Sequence, residues 1–465
     1  MQNVYKEVNS LDKRCYKQFG LSEDILMEHA ATSMAQYIYQ NFEPGSKILI
    51  ACGAGNNGAD GITLARQLKD DYLINMYIPF GVKSPMAILQ YDRAKAVELE
   101  LSESFFDDVD IVVDCLFGSG LNRALDDLSI DIIKILNNID AFKLSCDIPS
   151  GINKQGVIES ICFKADLTIT MGALKTSLFS DSAKDFVGKI QVANLGISRS
   201  NYEIPSDIYF LERSDMKLPT RKKLCSHKGE FGHLNVIFGE KIGAGMLCAD
   251  SAFSFGVGLV SAIGHKELEL PYHIMQGHKI SSNATAIAIG MGLGNHDESE
   301  IKDILNIDLP KIIDADLLSD EKIKEVLDQE NCVLTPHPKE FCTLYEIAGL
   351  GKISVQECQE NRFYYVEQFT KKYPNIVLLL KGANTLISYK NRIYINSFGT
   401  PVLSQGGSGD VLSGLIGSLL SQGYDCLDAT ISASLAHSLA SMNYDKNNYS
   451  MLPQDLIEQI KVLKN

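Results

Sequence analysis

The chain has 465 residues, with 43 basic and 58 acidic side chains and a formal net charge of −15 at pH 7. One hydrophobic core rarely exceeds roughly 250–300 residues, so the length predicts at least two domains. Such a strongly negative net charge disfavours binding to nucleic acid. The chain has no stretch of roughly 18 consecutive apolar residues, so a membrane-spanning helix is not expected. The N-terminal residues lack the apolar run of a signal peptide, and the eleven cysteines are scattered without a C-x-x-C pair. We therefore expect a cytoplasmic protein.

The first half alternates short β-branched runs with amphipathic segments. A helix is predicted over 22–42, with Ser22 as its cap and the acidic Glu23 and Asp24 in its first turn. Strands are predicted at 47–53, 74–80, 110–118, 142–151, 165–173 and 188–196. Strands that alternate with helix-length connections predict a doubly wound α/β/α domain of Rossmann-like type.

A polar, partly basic segment at 211–232 lacks hydrophobic periodicity and indicates a linker. The α/β alternation then restarts, with a hairpin at 384–399 that turns at Lys390 and Asn391 and a long apolar helix after Ser404. The other predicted strands of this half lie at 233–239, 255–264, 284–294, 311–316, 331–338 and 375–382. We therefore predict two doubly wound α/β/α domains, residues 1–212 and 213–465.

A glycine-rich loop follows the first of these strands and precedes a helix. Gly53, Gly55 and Gly58 form a G-x-G-x-x-G pattern, which places a phosphate on a helix N-terminus in dinucleotide-binding proteins. The next strand ends at Phe80 without the acidic residue that would hold a ribose, so an ordinary dinucleotide oxidoreductase is disfavoured. A tight structural turn and a ligand-binding loop remain equally good interpretations of the glycines.

Polar side chains also end two neighbouring strands. Because carboxyl ends of parallel strands meet in one crevice, residues of three segments are expected to face one another: Asn56, Asn57, Asp60, Asp114, Asp147 and Ser150. Such oxygens suit a hard cation or acid–base chemistry on a polar ring. Either aspartate alone would more simply cap the next helix, and it is their joint occurrence that favours a site.

The segments NNGADG (56–61), VDCLFGSG (113–120) and DIPSG (147–151) resemble the YjeF N-terminal family of NAD(P)H-hydrate epimerases over roughly residues 1–210. Ala59 and Ser119 are small departures from the family pattern. The resemblance implies that Asn57, Asp114 and Ser150 hold a potassium ion, and that Asp147, or an acid near it, is the catalytic acid–base group. It also implies a set of contacts to the hydrated nucleotide: Asn56, Asn57, Gly58, Ala59, Asp60, Gly118, Ser119, Gly120, Leu121, Asn122, Arg123, Ala124 and Asp147.

The strongest pattern of the second half is LSQGGSGDVLSGLIGSLL (403–420). Gly406, Gly407 and Gly409 leave backbone N–H groups free to surround an anion at a helix N-terminus. Asp410 then stands where a base would remove a hydroxyl proton during phosphoryl transfer. The weaker alternative is an ordinary glycine turn with a helix-stabilising aspartate. No Lys-Ser/Thr follows the glycines, so this is not a Walker loop.

Two further strand ends carry candidate binding residues. Lys381 could reach a nucleotide phosphate or simply be a solvated strand terminus. His337 lies between Pro336 and Pro338, which favours either a rigid binding loop or a helix start with a histidine in its first turn.

These loops together resemble the ribokinase-like superfamily, and more narrowly the ADP-dependent NAD(P)H-hydrate dehydratases, over roughly residues 225–465. Leu317 and the pair Lys241–Ile242 depart from the family pattern. The resemblance implies that Ala244, Gly294, His337 and the catalytic Asp410 face the hydrate. It implies a nucleotide site at Lys381, Gly382, Ala383, Asn384, Thr385, Gly406, Gly407, Ser408 and Gly409.

Both resemblances on one chain imply repair of hydrated nicotinamide nucleotides. The first domain would interconvert the R and S epimers of NAD(P)HX at C6, and the second would dehydrate the S epimer with ADP and Mg²⁺. A small-molecule kinase of the ribokinase type fused to a non-catalytic nucleotide-binding domain is the alternative, and it would leave the first domain unexplained. A third interpretation, an RNA-assembly module, is disfavoured by the charge of −15. We expect a homo-oligomer, as is common for this fold class.

Overall fold

The computed structural model describes residues 1–99, 101–102, 108–121 and 124–464, with the backbone alone for residue 101. The chain forms two compact units, of which one comprises residues 3–206 and the other residues 207–465 with residues 1–2. Within the described ranges, every helix is too short or too polar to cross a bilayer.

The N-terminal unit begins with a short strand and then alternates strands with helices. Its strands are β1 Gln2–Tyr5, β2 Lys47–Cys52, β3 Leu73–Tyr77, β4 Leu101–Ser102, β5 Ile111–Cys115, β6 Phe142–Cys146, β7 Leu167–Met171, β8 Leu174–Lys175 and β9 Lys189–Ala193. Its helices are α1 Asn9–Arg14, α2 Glu23–Asn41, α3 Asn56–Leu68, α4 Pro85–Ala96, α5 Asp127–Asn138 and α6 Arg199–Tyr202. A π-helical turn at Cys15–Phe19 and a 3₁₀ turn at Thr176–Phe179 complete it.

The main sheet of this unit is parallel, in the strand order β4-β3-β2-β5-β6-β7-β9. Successive side chains of β2 enter two different cores: Ile48 and Ile50 pack with the buried face of α2, while Leu49 and Ala51 pack with α5. The sheet is therefore covered on both faces, as its nearly uninterrupted apolar strands require. The chain leaves β2 toward one edge and β5 toward the other, which opens a crevice at their carboxyl ends.

The C-terminal unit repeats this architecture with a longer sheet. Its strands are β10 Ile208–Phe210, β11 His233–Ile237, β12 Leu259–Ile263, β13 Met275–Gly277, β14 Ala286–Ile289, β15 Lys311–Ile313, β16 Cys332–Leu334, β17 Val377–Leu380, β18 Thr385–Tyr389 and β19 Arg392–Asn396. Its α-helices are α7 Ile242–Ser254, α8 Glu298–Leu305, α9 Lys324–Leu327, α10 Pro338–Ile347, α11 Val355–Glu360, α12 Arg362–Lys372, α13 Ser408–Ser421, α14 Cys426–Met442 and α15 Pro453–Lys461. Short 3₁₀ turns lie at Arg213–Asp215, Lys228–Phe231, Ala315–Ser319, Glu321–Ile323 and Pro401–Leu403.

These strands lie in the order β13-β12-β11-β14-β15-β16-β17-β18-β19-β10. The pairs from β13 to β17 are parallel, and the predicted hairpin β18–β19 adds antiparallel pairs. Lys390 and Asn391 both adopt positive φ, at 47° and 63°, which is the backbone of a two-residue hairpin turn. The chain changes direction between β11 and β14, so this sheet also opens a crevice at its strand ends.

The predicted doubly wound α/β architecture is confirmed in both units. Two local expectations are wrong. Ser22 precedes α2 as its N-cap residue, but its side chain makes no capping hydrogen bond. The predicted linker is shorter than 211–232, because Leu211 and Met216 are buried in the C-terminal core. Exposed chain begins after these residues and includes Cys225.

Candidate active sites

A buried carboxylate and hydroxyl form the floor of the N-terminal crevice. Asp114 at the end of β5 is 0% exposed, and Ser150 follows β6. Ser150 donates to Asp114 twice, from Oγ to Oδ1 at 2.6 Å and from its backbone N–H to Oδ2 at 2.8 Å. Burial raises the pKa of Asp114 to about 6, although these hydrogen bonds oppose the rise. No described cationic side chain pairs with this carboxylate, so a bound cation would lower its pKa.

A buried ion pair lies beside that floor. Lys175, which is 2% exposed, donates from Nζ to Asp147 Oδ1 at 2.7 Å and to Thr170 Oγ1 at 2.8 Å. The backbone N–H groups of Met171 and Ser119 also donate to the Asp147 carboxylate. Burial by itself would raise the pKa of Asp147, but the Lys175 ammonium and these hydrogen bonds hold it below its usual value. Asp147 is therefore ionised at neutral pH.

The backbone of Asp147 is also unusual. Its φ is +69°, in the left-handed region that a residue with a Cβ adopts at an energetic cost. Such strain persists when surrounding contacts hold the residue in place, and it concentrates at functional sites. The sequence makes Asp147 a candidate but gives no indication of Lys175, which is a lone lysine four positions after β7.

Helix α3 brings two further side chains to the crevice. A Cβ on Gly118 would lie only 2.8 Å from Asn57 Oδ1 and 3.2 Å from Asp147 Oδ2, so a glycine is needed for this close approach. The buried Asn57 Nδ2 has no hydrogen-bond partner within the described chain. Burial raises the pKa of Asp60 well above its usual value, and the nearby Asp147 carboxylate adds to the rise. Asp60 therefore holds a proton more readily than the neighbouring Asp147.

Other predicted contacts of this domain lie around the same crevice but face differently. Asn56 donates to Glu23 at 2.7 Å on the exposed side of α3. Ala59 packs with Met27 and Ala87 in a small apolar cluster. Gly58 lies against the backbone of Gly53, Leu121 is buried, and Gly120 and Ala124 are exposed. Asn122 and Arg123 lie outside the described residues.

In the C-terminal unit, α13 begins at the predicted glycine loop. Gly407 is its N-cap residue with φ +95°, and Asp410 lies in its first turn. Gly409 faces Lys381, because a Cβ there would lie 3.3 Å from Lys381 Nζ. The N–H groups at the start of this helix and the Lys381 ammonium thus lie on two sides of one position that suits an anion.

A second ion pair supports this position. Lys381 Nζ donates to Asp314 Oδ1 at 2.6 Å, and Ser413 Oγ donates to Oδ2 at 2.7 Å. Asp314 is buried at the end of β15, in the segment IDAD (313–316), which the sequence marks as a strand-end loop without assigning Asp314 a role. Burial raises the pKa of Asp410 to about 6, the Asp314 carboxylate adds to the rise, and Lys381 opposes it. Asp410 can therefore take up and release a proton near neutral pH.

A buried histidine steadies the start of α13. His437 of α14 lies 2.9 Å from the Ser408 carbonyl through Nε2. Burial lowers the pKa of His437 to about 4, so the ring is neutral and donates a hydrogen bond to that carbonyl. Ser408 Oγ donates to the Leu403 and Gln405 carbonyls, so its hydroxyl closes the loop internally. Gly406 is exposed at the loop tip.

His337 adopts the helix-start arrangement. It is the N-cap residue of α10, and its Nδ1 accepts hydrogen bonds from the backbone N–H groups of Lys339 and Glu340. The Glu340 side chain accepts in return from the His337 N–H at 2.9 Å. The imidazole is nonetheless half-exposed, so its remaining edge is accessible.

The last predicted contacts lie on neighbouring loops. Ala244 is in the first turn of α7, and Gly294 donates from its N–H to Asp316 Oδ2 at 3.1 Å. Gly382 and Ala383 are exposed, whereas Asn384 is buried and Thr385 begins β18. Within the described ranges, no three His, Cys, Asp or Glu side chains converge as a metal site.

Comparison with known proteins gives consistent results for both units. Residues 23–177 match the family model of the YjeF-related protein N-terminus, and residues 234–462 match that of NAD(P)H-hydrate dehydratase. A bifunctional NAD(P)H-hydrate repair enzyme from Helicobacter pylori is 43% identical over 100% of both chains. Its counterpart from Coxiella burnetii is 31% identical over 99% of this chain and 98% of its own. A Bacillus subtilis ADP/ATP-dependent NAD(P)H-hydrate dehydratase structure, 23% identical, covers 54% of this chain and 96% of its own with a TM-score of 0.46.

Proposed function

The chain belongs to the bifunctional NAD(P)H-hydrate repair enzymes, and from that premise we propose how each unit contributes to the repair. The N-terminal unit interconverts the R and S epimers of NAD(P)HX at C6. The C-terminal unit uses ADP to dehydrate the S epimer to NAD(P)H. The observation that carries the assignment of residues is that each unit has a carboxylate in a strand-end crevice with a lysine acting on it: Asp147 pairs with Lys175, and the partly buried Asp410 lies in the field of Lys381.

In the N-terminal unit, Asp147 is the acid–base group. As an ionised carboxylate it accepts the proton of the C6 hydroxyl, and the Lys175 ammonium stabilises its charge in the starting state. Loss of that proton lets the C6–N1 bond break, with its electron pair left on N1 and a carbonyl formed at C6. Rotation of this carbonyl and the reverse steps close the ring with the opposite configuration, and Asp147 returns the proton.

A potassium ion fits the floor of this crevice. Asp114 and Ser150 present buried carboxylate and hydroxyl oxygens, and the Asn57 amide oxygen lies against Gly118, next to Phe117, whose N–H donates to Ser150. Alkali and alkaline-earth cations prefer such oxygen ligands. When bound, the ion would supply the positive charge that Asp114 otherwise lacks and would help to fix the loop that carries Gly118.

In the C-terminal unit, Asp410 removes the C6 hydroxyl proton, and the hydroxyl oxygen attacks the terminal phosphoryl group of ADP. AMP leaves with the bonding electron pair, while the N–H groups at the start of α13 and Lys381 stabilise the charge of the transferred group. The N1 electron pair then expels phosphate from C6, and loss of a proton from C5 restores the 5,6 double bond. The products are NAD(P)H, AMP and phosphate.

Magnesium in this site would be carried largely by the nucleotide. Mg²⁺ commonly keeps several waters and uses only one or two protein carboxylates together with phosphates. We propose Asp316 as that carboxylate, since its half-exposed side chain acts electrostatically on Asp410. When bound, the ion would neutralise phosphate charge on a chain whose net charge is −15.

The decisive experiment supplies purified protein with mixed NADHX epimers and ADP and follows the return of NADH absorbance. Asp114→Ala should abolish epimerisation and spare dehydration of the S epimer, whereas Asp410→Ala should do the reverse. A kinase would instead accumulate a stable phosphorylated alcohol. Folded protein that restores no NADH would refute the assignment, and loss of both activities from either substitution would refute separate sites.

A further inference from the structure

Arg362 is a buried cation that neither proposed reaction uses. It is the first residue of α12 and is 4% exposed. Its Nη1 donates to the Asn384 carbonyl at 2.8 Å, and its Nη2 donates to the carbonyls of Leu380 and Lys381 at 3.0 Å each. One guanidinium therefore fixes three backbone groups within a single turn of chain.

Those three carbonyls belong to the turn between β17 and β18, which carries Lys381. Because they point toward Arg362, the intervening Gly382 and Ala383 are left on the outside of the turn, where both are exposed. Neither of their N–H groups donates to another described residue. Successive free N–H groups in a turn form a concave anion-binding surface. The turn thus carries two N–H donors that directly follow Lys381 in the chain and are not bonded within the described residues.

The turn is also held at its start. The Lys381 N–H donates to the Pro336 carbonyl at 2.9 Å, and Lys381 Nζ donates to Asp314. The ammonium faces Gly409 at the start of α13. A displacement of the turn would therefore move Lys381 and both free N–H groups relative to the anion-binding end of that helix.

We propose that Arg362 is a positioning residue for the nucleotide, a proposal that rests on the nucleotide site proposed at residues 381–385. It acts through the backbone of Leu380, Lys381 and Asn384 and does not contact the nucleotide itself. A planar guanidinium can donate along several directions at once, which a lysine ammonium cannot do with the same geometry. Its charge, buried behind the turn, also favours the polyphosphate on a strongly acidic chain.

The test measures ADP binding to the full-length protein by calorimetry, for wild type, Arg362→Lys and Arg362→Gln. Arg362→Lys keeps the positive charge but loses the planar set of N–H donors, and Arg362→Gln loses both. Lys372→Met is the matched control, because Lys372 ends the same helix and donates to the Ala348 and Gly349 carbonyls, away from the turn. Epimerisation of NADHX on the same chain reports whether the rest of the protein is intact.

We expect the Kd for ADP to rise about 10- to 100-fold in both Arg362 variants, as a displaced binding group would cause. The KM for the S epimer, the epimerisation rate and ADP binding by Lys372→Met should stay within twofold of wild type. A Kd within twofold of wild type in Arg362→Lys and Arg362→Gln would overturn the proposal. Failure of both variants to fold would overturn it too, because Arg362 would then serve the fold. Since ADP binding is measured directly, a wild type that binds ADP but repairs no NADHX would refute the proposed function separately.

Discussion

Acidification should switch off dehydration through Asp410. Its carboxyl has a pKa of about 6 rather than the usual 3.8, because it is partly buried and lies near the Asp314 carboxylate, with Lys381 offsetting only part of the effect. A general base works only when deprotonated. The rate should therefore be half-maximal near pH 6, about nine-tenths of maximal at pH 7 and about one-tenth at pH 5.

The assay supplies the purified S epimer with saturating ADP and Mg²⁺ between pH 5 and 8, stops samples in alkaline buffer and quantifies NADH. The terminal phosphate of ADP also titrates near pH 6. The residual rate of Asp410→Asn, measured with excess enzyme, gives that contribution separately. Thermal melting at each pH shows that the protein stays folded.

The reasoning predicts a steep acid limb in wild type and a much shallower one in Asp410→Asn. A wild-type rate that stays constant down to pH 5 would show that Asp410 is not the base or that its pKa is not raised. An identical limb in both proteins would assign the titration to the nucleotide.

Three other outcomes are expected. The pKa of Asp410 is raised in the folded protein, so its stabilising contribution is fully present below the usual pKa of 3.8 and is lost as the pH rises through about 6. Asp410→Asn should therefore melt at a higher temperature than wild type at pH 8 and at the same temperature at pH 4. Equal melting temperatures at pH 8 would contradict this. Lys175→Met should abolish epimerisation and lower the free energy of unfolding by about 3–5 kcal/mol, because it strands the buried Asp147 charge. In urea unfolding, the double variant Lys175→Met/Asp147→Asn should recover much of the lost free energy of unfolding. The control Lys311→Met removes a buried lysine that is bonded only to carbonyls, and it should lower the free energy of unfolding by less than Lys175→Met does. Epimerisation should need more potassium as the pH falls below 6, since protons and the cation compete for Asp114, and a potassium requirement that is the same at pH 5.5 and 8 would exclude that competition.

The sequence predicted features whose signals are local. The hairpin turn at Lys390 and Asn391 and the glycine loop before α13 depend on residues within one short segment. Lys175 was missed because it reaches Asp147 across 28 residues, through a turn that only the folded sheet defines. Asp314 and Lys381 are 67 residues apart, and neither residue indicates its partner.

Other parts of the sites depend on which face of a helix is buried. Arg362 begins α12, in a segment of polar composition where an arginine ordinarily faces solvent. His437 lies on an apolar helix where a satisfied core histidine and a functional one have the same sequence context. Only the packing of α12 and α14 in the folded protein shows that Arg362 is buried and that His437 bonds the Ser408 carbonyl. That packing is set by residues distant in sequence.

The distribution of thiols gives the protein a ready attachment point for a reporter. All eleven cysteines lie in the described ranges, and Cys225 is the exposed one, while ten are buried or partly buried. Burial also raises the pKa of Cys52 and Cys115 beneath the epimerase crevice, and the hydrogen bond with Cys115 together with burial raises that of Cys146, which suppresses the reactive thiolate. A maleimide dye at neutral pH should therefore label the unmodified chain mainly at Cys225, between the 3₁₀ turns Arg213–Asp215 and Lys228–Phe231. Fluorescence anisotropy of that single label would report the local motion of the exposed segment around Cys225 without any engineered substitution.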